Sequence, residues 1–195
     1  MAATVVPAVE TRRFTRLEHE RLAELCFFLP GERLELIDGF LVVREPQNTP
    51  HATAGRLLVK ALRAVFGPDW IVDSQLPVAL DEYSEPEPDA AVVRGDVRDY
   101  RDGHPSRPEL IVEVAESRLA FDRQYKASLY ARAGIADYWV INLVDRVLEV
   151  HREPEASDTA PYGFGYRSIT RLAPPATVSP VAAPTAAMVV ADLLP

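Results

Sequence analysis

A chain of 195 residues, 48% of them hydrophobic and with a formal net charge of −8, has the size and composition of one globular domain with a real core. The acidic balance argues against a broad, sequence-blind nucleic-acid coat but leaves room for a nucleic-acid enzyme with a local basic cleft. One cysteine, Cys26, excludes an internal disulfide framework and a cysteine-rich zinc site, while the lack of a long apolar run or a visible signal peptide points to a cytoplasmic protein with no membrane span.

The stretch FTRLEHERLAEL predicts a short helix, with Thr15 and Glu18 at capping-box spacing and Leu17, Leu22 and Leu25 as its apolar contacts. RLELIDGFLVV follows as a hairpin around Asp38-Gly39, and strand alternation sets Glu35 on the face opposite Leu34 and Leu36. NTPHATAGRLLVKALRAVF predicts a second helix, capped by Asn48 or Thr49, with Pro50 in its first turn and Leu58, Leu62 and Val65 at helical spacing. Three strand candidates come next: WIVDSQLPVAL, which Pro77 marks as an edge or bulged strand, then PDAAVV and ELIVEVA.

FDRQYKASLYARAG predicts an amphipathic helix with Phe121, Tyr125 and Leu129 four apart and Gly134 as its C-cap. DYWVIN and RVLEVHRE read as strands around a turn near Val144-Asp145, and YGFGYRSI as one more. The Ala/Pro-rich segment of about 172–187 is expected to be irregular, before a short ordered end at MVVADLLP. The order of elements predicts a mixed α/β fold in a single domain spanning residues 1–195.

Glu113 lies in the middle of the most apolar strand, between Val112 and Val114. An unpaired carboxylate in a dry strand costs several kcal/mol or takes up a proton, so it needs a cation: an arginine, a lysine or a metal ion. The alternative is a strand end whose wet face carries Glu113. Asp89, after the acidic loop EYSEPEPD, opens the neighbouring apolar run. On its own it reads as a turn residue after proline. If the two strands pair, both carboxylates converge, and a magnesium ion that keeps several waters relieves their repulsion.

Lys126 follows in the next helix, where Asp122, Lys126 and Tyr130 are four apart and share one stripe. As an exposed Asp122–Lys126 pair it would contribute a few tenths of a kcal/mol, and Lys126→Ala would fold normally. However, of 21 basic residues only Lys60 and Lys126 are lysine, so a compact ammonium is kept where arginine is the habit. An aspartate, a glutamate and a lysine around magnesium suit phosphodiester hydrolysis.

In this order, LELIDGFLVV, PH opening a helix, PDAAVV, PELIVEVAES and FDRQYKASLYARAGIADYWVI resemble the Uma-two family of restriction-endonuclease-like proteins, within the PD-(D/E)XK nuclease superfamily. The resemblance covers roughly Phe14 to His151. It implies a central mixed β-sheet flanked by helices, and a magnesium- or manganese-dependent endonuclease acting on DNA as a homodimer. It assigns Asp89 and Glu113 as metal ligands, Lys126 as a catalytic lysine moved onto the helix, and Glu35 as a further catalytic acid. His51, Asp122 and Tyr130 are accessory candidates; for His51, helix-end packing or capping is the favoured reading. The sequence departs from the pattern at Ala115, where the superfamily's basic form has lysine, and at ESRL, where the family has Ser-Pro-Ser-Thr. A catalytically silent binding domain on the same fold is the alternative, favoured by the acidic charge.

Overall fold

The computed structural model describes residues 11–195; the signal-peptide reading falls largely on residues 1–10, outside that range. Helix α1 (Arg16–Glu24) starts where the capping box predicts: the Thr15 hydroxyl accepts the Glu18 N–H, and the Glu18 carboxylate accepts the Thr15 N–H at 3.0 Å. Its leucines do not form the expected contacts. Leu17 is 75% and Leu25 62% exposed, and no residue of α1 is buried. A capping box is a local device and starts a helix without a tertiary partner.

Strands β1 (Leu34–Ile37) and β2 (Phe40–Val43) form the predicted hairpin, with φ of 50° at Asp38 and 85° at Gly39. These are the left-handed conformations a two-residue primed turn requires. Helix α2 (Thr49–Val65) is capped by the Asn48 side chain, which accepts the His51 N–H at 3.0 Å, and buries Ala54, Leu58 and Leu62.

The central sheet has six strands in chain order: β3 (Trp70–Asp73), β4 (Ala90–Arg94), β5 (Leu110–Ala115), β6 (Asp137–Asn142), β7 (Val147–Ala156) and β8 (Phe164–Leu172). Only β5 and β6 pair in parallel, so the sheet is mixed. A parallel pair needs a crossover, and the helical segment 119–132 supplies it. The edge strand β3 is shorter than predicted. It ends at Asp73; Gln75 then takes φ 55° and sends its N–H to Pro88 O at 3.0 Å, which removes it from the ladder before Pro77 is reached.

The crossover is not a plain amphipathic helix. It consists of α3 (Leu119–Phe121), a π turn (Asp122–Lys126) and α4 (Ala127–Arg132), closed by Gly134 at φ 76°. Phe121, Tyr125 and Leu129 therefore do not share a buried stripe. Tyr125 is exposed and stacks on Phe121 with ring centroids 5.4 Å apart, and only Leu129 is buried. The polar stripe of Asp122, Lys126 and Tyr130 faces inward instead.

Two cores sandwich the sheet. On one face α2 packs over Val112, Val114 and Trp139, joined by Val190 and Leu193 near the C-terminus. On the other, Ala127 and Tyr130 pack over Ile111, Ala115, Tyr138 and Val140. Between Leu172 and the end, the short strands β9 (Thr177–Val178) and β10 (Met188–Val189) pair with each other, and Val178 and Met188 enter the first core.

Candidate active site

Alternation along β5 explains the buried carboxylate. Leu110, Val112 and Val114 face α2, and Ile111 and Ala115 face α4. Glu113 belongs to the second set, on the side the crossover helix covers. Its partner strand β4 runs antiparallel with Ala90 opposite Val112, and one step further along that register sets Asp89 opposite Glu113. The Val114 N–H donates to Asp89 Oδ2 at 2.8 Å, which fixes the aspartate at the strand's entrance.

Asp89 Oδ1 faces a cluster of donors: His51 Nε2 at 3.1 Å, Gln75 Nε2 at 3.3 Å and Gln47 Nε2 at 3.4 Å. Burial pushes the Asp89 pKa up, but His51, the Val114 N–H and Lys126 outweigh it and hold the carboxyl below its usual range. Burial lowers the His51 pKa in turn, and the bond to Asp89 more than reverses this, so the imidazole is raised. His51 thus lies at the helix end, as predicted, but its ring serves Asp89 in addition to any packing role.

Glu113 Oε1 accepts from Lys126 Nζ at 2.9 Å and from the Tyr130 hydroxyl at 2.8 Å. Lys126 also meets Glu35 Oε2 at 3.1 Å, and that oxygen accepts the Glu87 N–H at 3.2 Å. Lys126 is 5% exposed, so the expectation of a surface lysine that alanine could replace without cost is overturned. The physical reason is that Ala127 and Tyr130, just after it, pack against the sheet and carry the ammonium in between Glu113 and Glu35.

Burial drives the Glu113 pKa upward, Lys126 pulls it down, and the charges of Asp89, Asp122 and Glu35 push it up again, to about 8. Asp122 is likewise raised by burial, to about 6. Burial opposes the Lys126 charge, but Glu113, Glu35 and Asp122 more than compensate and hold its pKa above the ordinary lysine value. Burial, reinforced by the Glu113 charge, holds Tyr130 as a neutral phenol.

Asp89, Glu113, Lys126, Glu35, His51 and Asp122 line one cavity of about 90 Å³. Tyr130 lies behind it and reaches Glu113 through its hydroxyl. Glu116, Ser117 and Arg118 of the divergent ESRL loop form part of the rim, where Ser117 donates to Glu45 at 2.5 Å. Sequence reasoning missed Gln47 and Gln75. Neither amide carries a signal in the sequence; the hold on Asp89 arises from the left-handed backbone at Gln75 and from the loop before α2.

Among the described residues, no three His, Cys, Asp or Glu side chains form a ready-made metal cage. The donor set nonetheless fits a hydrated magnesium ion. Four carboxylates gather around the single ammonium of Lys126, and among the described residues Glu113 Oε2 and the Asp122 carboxylate accept no hydrogen bond from the protein. Magnesium needs only one or two protein carboxylates because it keeps several waters, and a cavity of this size admits them.

The sequence model of the Uma2 family, described as "Putative restriction endonuclease", matches residues 18–184. No curated protein matches the chain. Among solved structures, a protein from Anabaena variabilis ATCC 29413, described as "a putative nuclease belonging to DUF820", superposes with a TM-score of 0.67 at 16% identity, over 88% of this chain and 96% of the other. At that identity the likeness speaks for the fold.

Proposed function

The chain belongs to the Uma2 family, and from that premise we propose that it is a metal-dependent endonuclease that hydrolyses phosphodiester bonds in DNA. The observation that carries this reading is the convergence of Asp89, Glu113 and Glu35 on Lys126 in one cavity at the mouth of the β4–β5 pair. Asp89 and Glu113 would hold magnesium or manganese. When bound, such an ion polarises a phosphoryl oxygen and lowers the pKa of a coordinated water.

The protein's own groups divide the remaining work. His51, Gln47 and Gln75 orient Asp89. Tyr130 fixes the rotamer of Glu113 by donating to it. Lys126, held as an ammonium by two carboxylates, has no lone pair with which to take a proton. Its role is to place a water and to offset negative charge that develops on the phosphate. Glu35 keeps the ammonium in position from the hairpin side.

We also propose a homodimer, which would bring two such sites to the two strands of a duplex. The exposed Leu17, Leu25, Phe27 and Leu29 on and after α1 support a dimer contact there. A catalytically silent binding domain is the competing reading, favoured by the net charge of −8 and by the internal counter-ion that Lys126 gives Glu113. Supercoiled plasmid incubated with magnesium, manganese or EDTA separates the two. Metal-dependent nicking lost in Asp89→Ala supports the nuclease; manganese titration calorimetry without any binding heat sinks it.

A further inference from the structure

Helix α2 contains no aspartate or glutamate, in a chain that has 29 acidic residues. It does contain Arg56, Lys60 and Arg63. Four and seven residues separate the second and third from the first, so the three cations share one solvent-facing stripe. They are exposed, and among the described residues none of them makes an ion pair. Arg63 donates only to Val72 O, at 3.5 Å, and its charge reaches Asp73. Most arginines elsewhere sit on carboxylates, as Arg44 does on Glu87, Arg123 on Glu149, Arg132 on Asp38 and Arg152 on Asp137, while Arg94 lies over the Trp70 ring and Arg146 donates to the Pro195 carbonyl.

The three cations line a groove of about 600 Å³, whose far side is built by Ser74 and Gln75. The groove meets the candidate active site through Gln47, which lines both cavities, and through Gln75, whose amide lies on Asp89. The floor carries Gly55 in the helix interior. A glycine there is destabilising relative to alanine, yet a Cβ at this position would meet nothing within 4 Å. Internal packing therefore gives no reason for its small size; space kept open for something outside the chain does.

We propose that this groove is the track along which a DNA strand enters the active site, with Arg56, Lys60 and Arg63 on phosphates of one backbone and Gly55 as the point of close approach. The proposal rests on the nuclease reading for its choice of polyanion. Arg56 and Arg63 are about 10 Å apart along the helix axis, the rise of about three base steps in one strand. The adjoining groove is the roomier of the two, about 600 Å³ against about 90 Å³ for the active-site cavity. A locally basic track also reconciles DNA binding with an acidic chain, since cations are needed only along the path the strand takes.

The test uses the full chain and a fluorescent DNA duplex, without divalent metal, with affinity measured over a range of salt. The triple variant Arg56→Gln, Lys60→Gln, Arg63→Gln is expected to bind about ten- to a hundred-fold more weakly, with the log–log salt slope reduced by about two to three. Gly55→Leu, which fills the floor and leaves the charges, is expected to weaken binding at an unchanged slope. Hydrolysis of bis(p-nitrophenyl) phosphate with manganese, a small diester that needs no track, should be the same in all three proteins. Wild-type affinity and slope in the triple variant overturn the track, as does a wild-type protein that binds no DNA. Loss of DNA affinity in the variants, with no diester hydrolysis by any of them, supports the track and overturns the nuclease reading instead.

Discussion

Lys126 Nζ lies 2.9 Å from Glu113 Oε1, and both side chains are buried. Lys126 is what pulls the Glu113 pKa down against burial, so without it Glu113 takes up a proton in a poorly solvated site and Glu35 loses its buried counter-ion. Lys126→Ala is therefore expected to lower the unfolding free energy by about 3–5 kcal/mol as well as to abolish plasmid nicking. Urea denaturation measures the first and gel electrophoresis the second. A variant as stable as the wild type would mean that Glu113 takes up a proton without cost.

Glu113→Gln keeps the shape, and the new amide oxygen still accepts from Lys126 and Tyr130. The fold should survive with a stability change of about 1 kcal/mol or less, while metal-dependent cleavage falls at least a hundred-fold through loss of the anionic ligand. The check is a magnesium titration of nicking rate with circular dichroism alongside. Wild-type cleavage by the folded variant would confine Glu113 to a structural role.

Asp89→Asn separates holding the strand from holding an ion. The asparagine oxygen can still accept the Val114 N–H, but its amide nitrogen then faces the Gln47 and Gln75 donors, so the fold should survive with a melting temperature lowered by about 5 °C. Manganese affinity should drop, because the site loses an anion while His51, Gln47 and Gln75 remain. Calorimetric titration giving the wild-type dissociation constant would remove Asp89 from the metal.

His151 supplies a pH dependence remote from these carboxylates. Its ring is 2% exposed, neither nitrogen has a hydrogen-bond partner among the described residues, and burial lowers its pKa to about 4. The unfolded chain binds this proton at a pKa of about 6.5. Between those values the unfolded state holds more protons, so the contribution to stability is complete above pH ~6.5 and is lost as pH falls toward ~4, by about 3 kcal/mol in all. Unfolding free energies of wild type and His151→Leu, measured across this window, should diverge with that sign. Parallel curves would show that the buried ring is protonated in the folded state too.

The dimer makes a solution prediction. Phe27→Asp with Leu25→Asp should convert a dimer to a monomer in analytical ultracentrifugation without changing the circular dichroism spectrum, since both side chains are exposed in the single chain. A wild-type protein that sediments as a monomer at all concentrations would dismiss the α1 contact.

What the sequence disclosed was local or chemically incongruous. Thr15 with Glu18, Asp38 with Gly39, and Asn48 ahead of Pro50 each fix a turn or a cap within four residues, so their elements could be read directly. Glu113 was conspicuous because a carboxylate contradicts its own strand. The burial of α1 was misread because apolar spacing says which residues share a face, and nothing about whether a partner covers it. Lys126 looked exposed because four-residue spacing to Asp122 fits a solvated pair as well as a buried one. Only the sheet pairing decides between them. Gln47 and Gln75 come together across 28 residues of chain through backbone geometry that leaves no mark in their identities.

The π turn from Asp122 to Lys126 makes the length of the chain itself a determinant of the site. Such a turn holds one residue more than α-helical hydrogen bonding requires, so an in-frame loss of a single codon within it would let the helix close regularly. Ala127, Leu129 and Tyr130 are anchored in the core, and the correction would therefore propagate toward the N-terminal side. The helical residues before the deletion, back to Leu119, would swing by about 100°, the angle of one α-helical residue. Asp122 would leave the cavity, while Asp89, Glu113 and Lys126 kept their places. One missing codon could thus strip a descendant of its helix-borne acid with every sheet-borne residue intact, an inheritance that residue-by-residue substitution would not reproduce.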